Sequence, residues 1–107
     1  MALTRDFKQT MVARAERDPA FAKALLDEAA TLFLNGEPET ARLILRDLVN
    51  ATVGFEALAR QTDKNGKSLH RMLSANGNPT MDNLAAIFGA VRSALHVELK
   101  VNAVRAA

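Results

Sequence analysis

Two turn signals near the middle of the chain enclose a segment that is long enough for only roughly two to three turns of helix. The first signal is the polar sequence Thr62–Asn65, and the second is Ala75–Pro79, which contains the Gly-Asn-Pro order typical of tight turns. Within the enclosed segment, 66–74, the apolar residues recur at the spacing of one helical face: Leu69, Met72 and Leu73. The pattern predicts a short helix that is held between two turns and packs through one side.

The sequence before this segment predicts longer helices. Thr4 is the expected N-cap of the first, and Asp18 is the expected N-cap of the second, because proline follows it at the first helical position. Gly36 ends the second helix, since glycine readily adopts the left-handed conformation that follows a last turn. The apolar stripe of the second helix comprises Phe21, Ala24, Leu25, Ala29, Leu32 and Phe33. We expect residues 1–36 to form helices that either complete the hydrophobic core or serve as an interface.

Residues 37–94 predict a unit in which further helices flank the central segment. A helix opens at Glu37, which proline follows, and its predicted buried face comprises Ala41, Ile44, Leu45, Leu48 and Val49. Gly54 ends that helix and begins a short one over 55–61. Thr80 caps a last helix, whose apolar residues are Leu84, Ile87, Phe88 and Val91.

The C-terminal segment, 95–107, changes its hydrophobic period. Its apolar residues alternate with polar ones, in the order Leu95, His96, Val97, Glu98, Leu99, Lys100, Val101 and Asn102. A period of two is typical of a strand, and a lone strand has nothing to pair with in an otherwise helical monomer. We therefore expect a short strand over 95–101 that pairs with its copy in a second subunit or with a partner protein. A continued helix or a frayed tail is the alternative.

The charge of the chain is placed unevenly. The formal net charge is only +2, but residues 1–53 carry seven Lys/Arg against eight Asp/Glu, whereas residues 54–107 carry seven against four. Four cations lie in the stretch from Arg60 to Arg71, and Asp63 is the only acid there. Such a local basic patch suits contact with phosphate. A merely solvated helix face is the alternative.

Several function classes lack the residues that they need. The chain has no cysteine, so neither a disulfide framework nor a thiolate metal site is expected, and His70 and His96 have no partners at ligand spacing. Ser68 and Ser74 have no general base that the sequence makes plausible, so we expect no enzyme activity, no metal and no cofactor. Neither a signal peptide nor a membrane span is evident, so a cytoplasmic protein without membrane contact is expected.

The order of elements after residue 54 is that of a helix-turn-helix. In such a unit the first short helix braces the second, and the second presents its N-terminal residues to a groove that admits one helix. Ala59 supplies the small residue needed where the two helices touch. The outward positions of the second helix are small, polar or basic: Gly66, Lys67, His70 and Arg71. This arrangement predicts a helix that reads the major groove of DNA.

The residues that carry a family resemblance are Leu58-Ala59, the run from Ser68 to Ser74, and Asn78-Pro79-Thr80 with Asn83-Leu84. Through them the segment resembles the lambda-repressor-like (Cro/repressor, XRE-type) DNA-binding domains. Within that superfamily it is similar to the small HigA-type antidote proteins of toxin–antitoxin modules. The Gly-Asn-Pro-Thr element after the helix pair makes the resemblance specific. It implies an all-α, lambda-repressor-like fold to which the N-terminal helices are an addition.

The resemblance also implies roles for individual residues. Asn65 caps the second helix, Lys67 and Arg71 contact base edges, and His70 touches a base, a phosphate or only solvent. The residues expected to contact phosphate or sugar are Lys64, Ser68, Ser74 and Asn78. A two-fold dimer would present two such helices about one turn of duplex apart, on a palindromic operator.

This sequence departs from the family pattern at Asp63, Phe55 and Gly66. Asp63 stands where the turn between the helices usually has glycine, and aspartate tolerates the left-handed conformation needed there. Phe55 stands where a polar residue often contacts phosphate, so the resemblance does not carry that contact over to this chain. Gly66 has no side chain with which to read a base, which leaves more of the recognition to DNA shape.

The predicted function is that of a sequence-specific transcriptional regulator, a repressor that acts as a homodimer by occupying a promoter. The resemblance implies a further role as the antitoxin of a toxin of the RelE/HigB-like ribonuclease type. A helical protein-interaction module without DNA binding is the alternative, and Phe55 and Gly66 favour it. The two differ in salt dependence, because a DNA binder loses affinity steeply as salt rises.

Overall fold

The computed structural model of the chain describes residues 5–107, with side chains from residue 9 onward. Every regular element in that range is a helix, and the order is α1 (Arg5–Arg17), α2 (Pro19–Leu34), α3 (Pro38–Ala51), α4 (Phe55–Thr62), α5 (Gly66–Met72) and α6 (Met81–Leu95). The all-α class expected from the sequence is confirmed. None of the helices described combines the length and the apolar character that crossing a membrane requires.

α2 begins and ends, and α6 begins, where the capping residues predict. The carboxylate of Asp18 accepts a hydrogen bond from the backbone N–H of Phe21 at 3.2 Å, and the hydroxyl of Thr80 accepts one from the N–H three residues later at 3.1 Å. Both bonds satisfy donors that the first turn of a helix leaves without partners. Gly36 follows α2 with a φ of 84°, in the left-handed conformation expected of it. The expected cap at Thr4 lies outside the described residues.

One hydrophobic core joins the helices before and after residue 37. α2 packs along α3, α1 packs against both, and α6 contacts α2 and α4. The largest completely buried side chains come from five of the helices and the end of α5: Leu26, Leu45, Leu48, Leu58, Leu69, Leu73, Ile87, Val49 and Val91. The N-terminal helices therefore complete the core, which is one of the two roles expected of them.

The buried stripe of α2 differs from the predicted one. Ala22, Leu26 and Ala29 are buried, whereas Ala24 is exposed. The spacing of the three buried residues follows one side of a helix, and Ala24 lies on the opposite side. The prediction that Ala24 belongs to the apolar stripe was wrong. Small residues at two of the buried positions suit the close packing of α2 on its neighbours.

The C-terminal segment forms no strand within this single chain, and the strand expected over 95–101 is wrong at its start; its pairing with a second chain stays a prediction. α6 includes Leu95 and ends at His96, whose φ of 57° is left-handed, and the residues after it have no regular secondary structure. Val97 and Leu99 pack against the core, and the residues that alternate with them are exposed. The period of two therefore reflects a segment that lies on the helices through every second side chain. The described part of the chain contains no second strand with which it could pair.

Candidate nucleic-acid interface

A left-handed turn sets the angle between α4 and α5. Asp63 ends α4 with φ 54° and ψ 40°. This is the left-handed conformation expected at a position where glycine is usual. The backbone N–H of Lys64 donates to the carbonyl of Ala59 at 3.1 Å. This bond satisfies a carbonyl at the end of α4 and closes the turn. α5 then begins within a few residues and packs on α4.

α5 is fixed at its start and along its inner side. The side-chain oxygen of Asn65 accepts a hydrogen bond from the N–H of Lys67 at 2.7 Å, which confirms the expected N-cap. Leu69 and Leu73 are completely buried, and Met72 is half-buried. The helix ends slightly before its predicted end, because Leu73 forms the C-cap.

The outer side of α5 carries the cationic side chains. Lys67, His70 and Arg71 are exposed, and Lys64 and Ser68 are half-buried. A guanidinium nitrogen of Arg71 lies 3.5 Å from the hydroxyl oxygen of Ser68, at the limit of a hydrogen bond. Among the described residues, neither Lys67 nor Arg71 forms an ion pair. Their charges are therefore available to an external anion.

Three further residues belong to the basic patch or to the predicted DNA-binding set. Gly66 is half-buried, and open space surrounds the position that a Cβ would occupy, so packing does not require glycine there. Asn78 is exposed in the turn after α5. Arg60 pairs with Glu56 at 3.3 Å on the exposed surface of α4. The carboxylate of Glu56 therefore partly balances the charge of Arg60.

An aromatic stack joins the start of α4 to α5. The ring centroids of Phe55 and His70 lie 3.8 Å apart, and the ring planes are inclined by 18°. Phe55 is only 9% exposed and belongs to the hydrophobic core, so the stack connects His70 to that core. His70 remains exposed overall while one face of its imidazole is covered. The sequence marked Phe55 as unusual but gave no sign of its partner.

Ser74, which was expected to contact phosphate, lies in the turn just after α5. Its hydroxyl donates to the backbone carbonyl of Arg71 at 2.7 Å, and the residue is half-buried. A serine hydroxyl has one proton to donate. Donation to a phosphate would therefore break this bond. Among the residues that the structure describes, the side chains of Lys64, Ser68 and Asn78 donate no such bond to the backbone.

A buried arginine of α3 holds the turn that follows α5. Arg42 is 7% exposed. Its Nε donates to the carbonyl of Ser74 at 3.0 Å, and a terminal nitrogen donates to the carbonyl of Ala75 at 2.8 Å. These charge-assisted bonds fix two carbonyls of the turn that follows α5 to a buried side chain of α3. Sequence reasoning missed Arg42, and the available signal was a cation on the buried face of an amphipathic helix, which needs acceptors.

The turn after α5 packs its backbone directly on the end of that helix. The N–H of Gly77 donates to the carbonyl of Ser74 at 3.1 Å. A Cβ on Gly77 would lie closer than 3.0 Å to the carbonyl oxygens of Arg71 and Met72. The position therefore requires glycine because of this close approach. The Gly-Asn-Pro signal predicted the turn but not the contact.

No protein-family model matches the chain, and neither a curated protein nor a solved structure is similar enough to match it. The part of the chain that the structure describes contains no group of three or more His, Asp or Glu side chains that could hold a metal ion. The chemistry on the outer side of α5 is that of exposed cations, an imidazole, a hydroxyl and an amide.

Proposed function

We propose that the protein is a sequence-specific DNA-binding regulator of transcription, with a lambda-repressor-like helix-turn-helix that places α5 in the major groove. The observation that supports this best is the division of α5 into two sides, with Lys67 and Arg71 outward and Leu69 and Leu73 buried. The major groove admits one helix. A helix can read it only if the rest of the protein holds that helix firmly, and the two hydrogen bonds from Arg42 supply such support.

Base recognition is assigned to Lys67 and Arg71. Lysine and arginine donate to the major-groove edge of guanine, and arginine can do so through two hydrogen bonds. Lys64, Ser68 and Asn78 lie just before, within and after α5 in the chain. They are assigned to phosphate and sugar, contacts that fix the register without reading sequence. The protein then represses by occupying an operator and excluding the polymerase, as a homodimer on a palindrome.

Replacing Lys67 or Arg71 with alanine should weaken binding to the preferred site by about 1–3 kcal/mol and relax the base preference at the contacted position. Lys64→Ala should instead weaken binding to all sequences about equally, because a phosphate contact carries no sequence information. The preferred site comes from selection out of random duplex DNA. Affinities are then measured on that site and on a scrambled duplex at one fixed salt concentration.

Lys23→Ala provides the matched control for this series, because it removes the same charge from the exposed surface of α2. Its affinity for both duplexes should equal that of the natural protein. Equal losses on the preferred and scrambled duplexes for Lys67, Arg71 and Lys64 alike would refute the assignment of base contacts.

A helical protein-interaction module is the second candidate function. Phe55 is buried beneath His70 and Gly66 presents no side chain, so two positions near the proposed DNA surface offer no polar side-chain contact. Salt titration separates the candidates. A DNA binder releases counterions, and the logarithm of its affinity falls with the logarithm of salt by about 0.9 for each phosphate contacted. An interaction module would show neither binding nor that slope.

The finer proposal of an antitoxin rests on the resemblance of the region from Leu58 to Leu84 to HigA-type antidote proteins. Its partner would be a RelE/HigB-like toxin, bound through folded helical surfaces. The adjacent reading frame on the chromosome is the candidate gene. If its product arrests growth when expressed alone and co-expression of this chain relieves the arrest, the proposal is supported. A harmless neighbour would contradict it.

A further inference from the structure

The segment after α6 has backbone groups that make no hydrogen bond. Within residues 5–107, the last backbone bond of this region runs from the N–H of Val97 to the carbonyl of Arg92 at 3.1 Å, and none involves 98–107. Leu99 is nevertheless packed against the core, while Val101 is 75% exposed. The segment is anchored through every second side chain, and its N–H and C=O groups are free to form a β-ladder with another chain.

We propose that residues 97–101 pair in antiparallel orientation with the same residues of a second copy of this chain, with Leu99 at the two-fold axis. In this register Glu98 of one copy lies opposite Lys100 of the other, and the pair occurs twice. Val97 of each copy lies opposite Val101 of the other. Opposite residues of an antiparallel pair share one face, so the apolar side chains of both copies face their cores and the charged ones face solvent.

The sequence favours this register over its neighbours. Shifting it by two residues places Glu98 opposite Glu98, or Lys100 opposite Lys100, and like charges directly opposite each other destabilise a pair. A shift by one residue places apolar side chains opposite polar ones, on one face. The register centred on Leu99 is the one in which charges are complementary and apolar residues meet. It also covers Val101, which is exposed in the single chain.

The resulting two-stranded ribbon gives the dimer a two-fold axis, and the two copies of α5 are related by it. The same two-fold symmetry would present both copies of α5 to a palindromic operator. This part of the proposal rests on the proposed DNA-binding function. The pairing itself does not depend on DNA. It can therefore be tested with the full chain in the absence of any nucleic acid.

Reversing the charge of Glu98 tests the register. Glu98→Lys places like charges opposite each other twice and should weaken the dimer about tenfold or more. Lys100→Glu should do the same, and the chain that carries both substitutions should recover the dimer, because the pairs are restored in exchanged order. The measurement is sedimentation equilibrium of the full chain over a range of concentrations. A monomer at all concentrations, or a dimer that neither single reversal weakens, would overturn the proposal.

A cysteine cross-link tests the axis. The chain has no cysteine of its own, so Leu99→Cys creates a single reactive thiol. Directly opposite residues of an antiparallel pair have Cα atoms about 4.5–5.5 Å apart, within the range of a disulfide. Mild oxidation should convert most of this variant to a covalent dimer, whereas Val104→Cys, on an exposed position beyond the ribbon, should remain monomeric on a non-reducing gel.

Circular dichroism and sedimentation before oxidation establish that the Leu99→Cys variant is folded and dimeric. If it is folded and dimeric but does not cross-link, or if Val104→Cys cross-links equally well, the copies associate through another surface and the proposal fails. If Lys67→Ala and Arg71→Ala leave DNA binding unchanged, the proposed function is contradicted. The sedimentation and cross-linking results would still test the pairing of the two copies.

Discussion

Gly77→Ala should lower the free energy of unfolding by about 3 kcal/mol or more, an unusually large effect for one added methyl group. The new Cβ would lie closer than 3.0 Å to two backbone carbonyl oxygens at the end of α5, and backbone atoms cannot turn aside as a flexible side chain can. A domain is typically stable by only about 5–15 kcal/mol. The melting temperature, measured by circular dichroism, should therefore fall by roughly 10 °C or more.

Gly89→Ala is the matched control for Gly77→Ala. Gly89 lies within α6, and nothing occupies the 4 Å around the position of an added Cβ. Alanine is the better helix former, so this substitution should raise stability by about 0.5–1 kcal/mol. The same chemical change should thus act in opposite directions at the two positions. A Gly77→Ala variant with the same melting temperature as the natural protein would show that the turn does not pack closely on α5.

Arg42→Met should lower the free energy of unfolding by roughly 3 kcal/mol, since two hydrogen bonds from a charged donor are lost and each contributes about 1.5 kcal/mol. Methionine fills much of the same space, so the effect comes from the guanidinium. The carbonyl of Ala75 would lose the guanidinium donor, and that of Ser74 would keep only the bond from the N–H of Gly77. We also expect weaker DNA binding at temperatures where the variant is still folded, because the end of α5 is no longer fixed.

Arg46→Met is the matched control for Arg42→Met. Arg46 lies one turn later on α3, is half-buried, and forms no hydrogen bond or ion pair among the described residues. Its replacement should change stability by less than about 1 kcal/mol. Arg42→Lys keeps the charge but not the planar pair of donors, so it should recover only part of the loss. Equal unfolding free energies for the Arg42→Met and Arg46→Met variants would contradict the role of the two hydrogen bonds.

The effects of Gly77→Ala and Arg42→Met should not be additive. Gly77 approaches the last carbonyls of α5, whereas Arg42 donates to two carbonyls of the turn that follows, so the two substitutions disturb adjacent parts of one backbone segment. Once one substitution has loosened that segment, the second should cause a smaller further loss of unfolding free energy. The double variant should therefore be more stable than the sum of the two losses predicts, by an amount that a double-mutant cycle measures.

The features that sequence reasoning predicted depend on residues close together in the chain. The caps at Asp18, Asn65 and Thr80 each use a side chain and an N–H only two or three residues away. The left-handed Asp63 is likewise specified by the turn in which it lies. Local hydrogen bonds and steric limits of this kind act wherever the segment is placed, so the pattern alone reveals them.

The features that it missed depend on contacts between distant residues. Arg42 meets an acceptor 32 positions away, and the stack of Phe55 on His70 joins two helices. Ala24 is an apolar residue close to the expected helical spacing, but the helices that pack on α2 cover the side opposite to it. In each case the partner is chosen by tertiary packing, which leaves no spacing signal in the sequence.

The Arg42 hydrogen bonds also limit how the reading helix can be engineered. A fragment that starts at Gly54, or a graft of 55–74 onto a foreign scaffold, would transfer every outward side chain and leave behind the guanidinium that secures the far end. The portable unit is larger than the motif. The DNA sequence preference is best redesigned by exchanging surface residues of α5 within the intact protein, where the hydrogen bonds from Arg42 are kept.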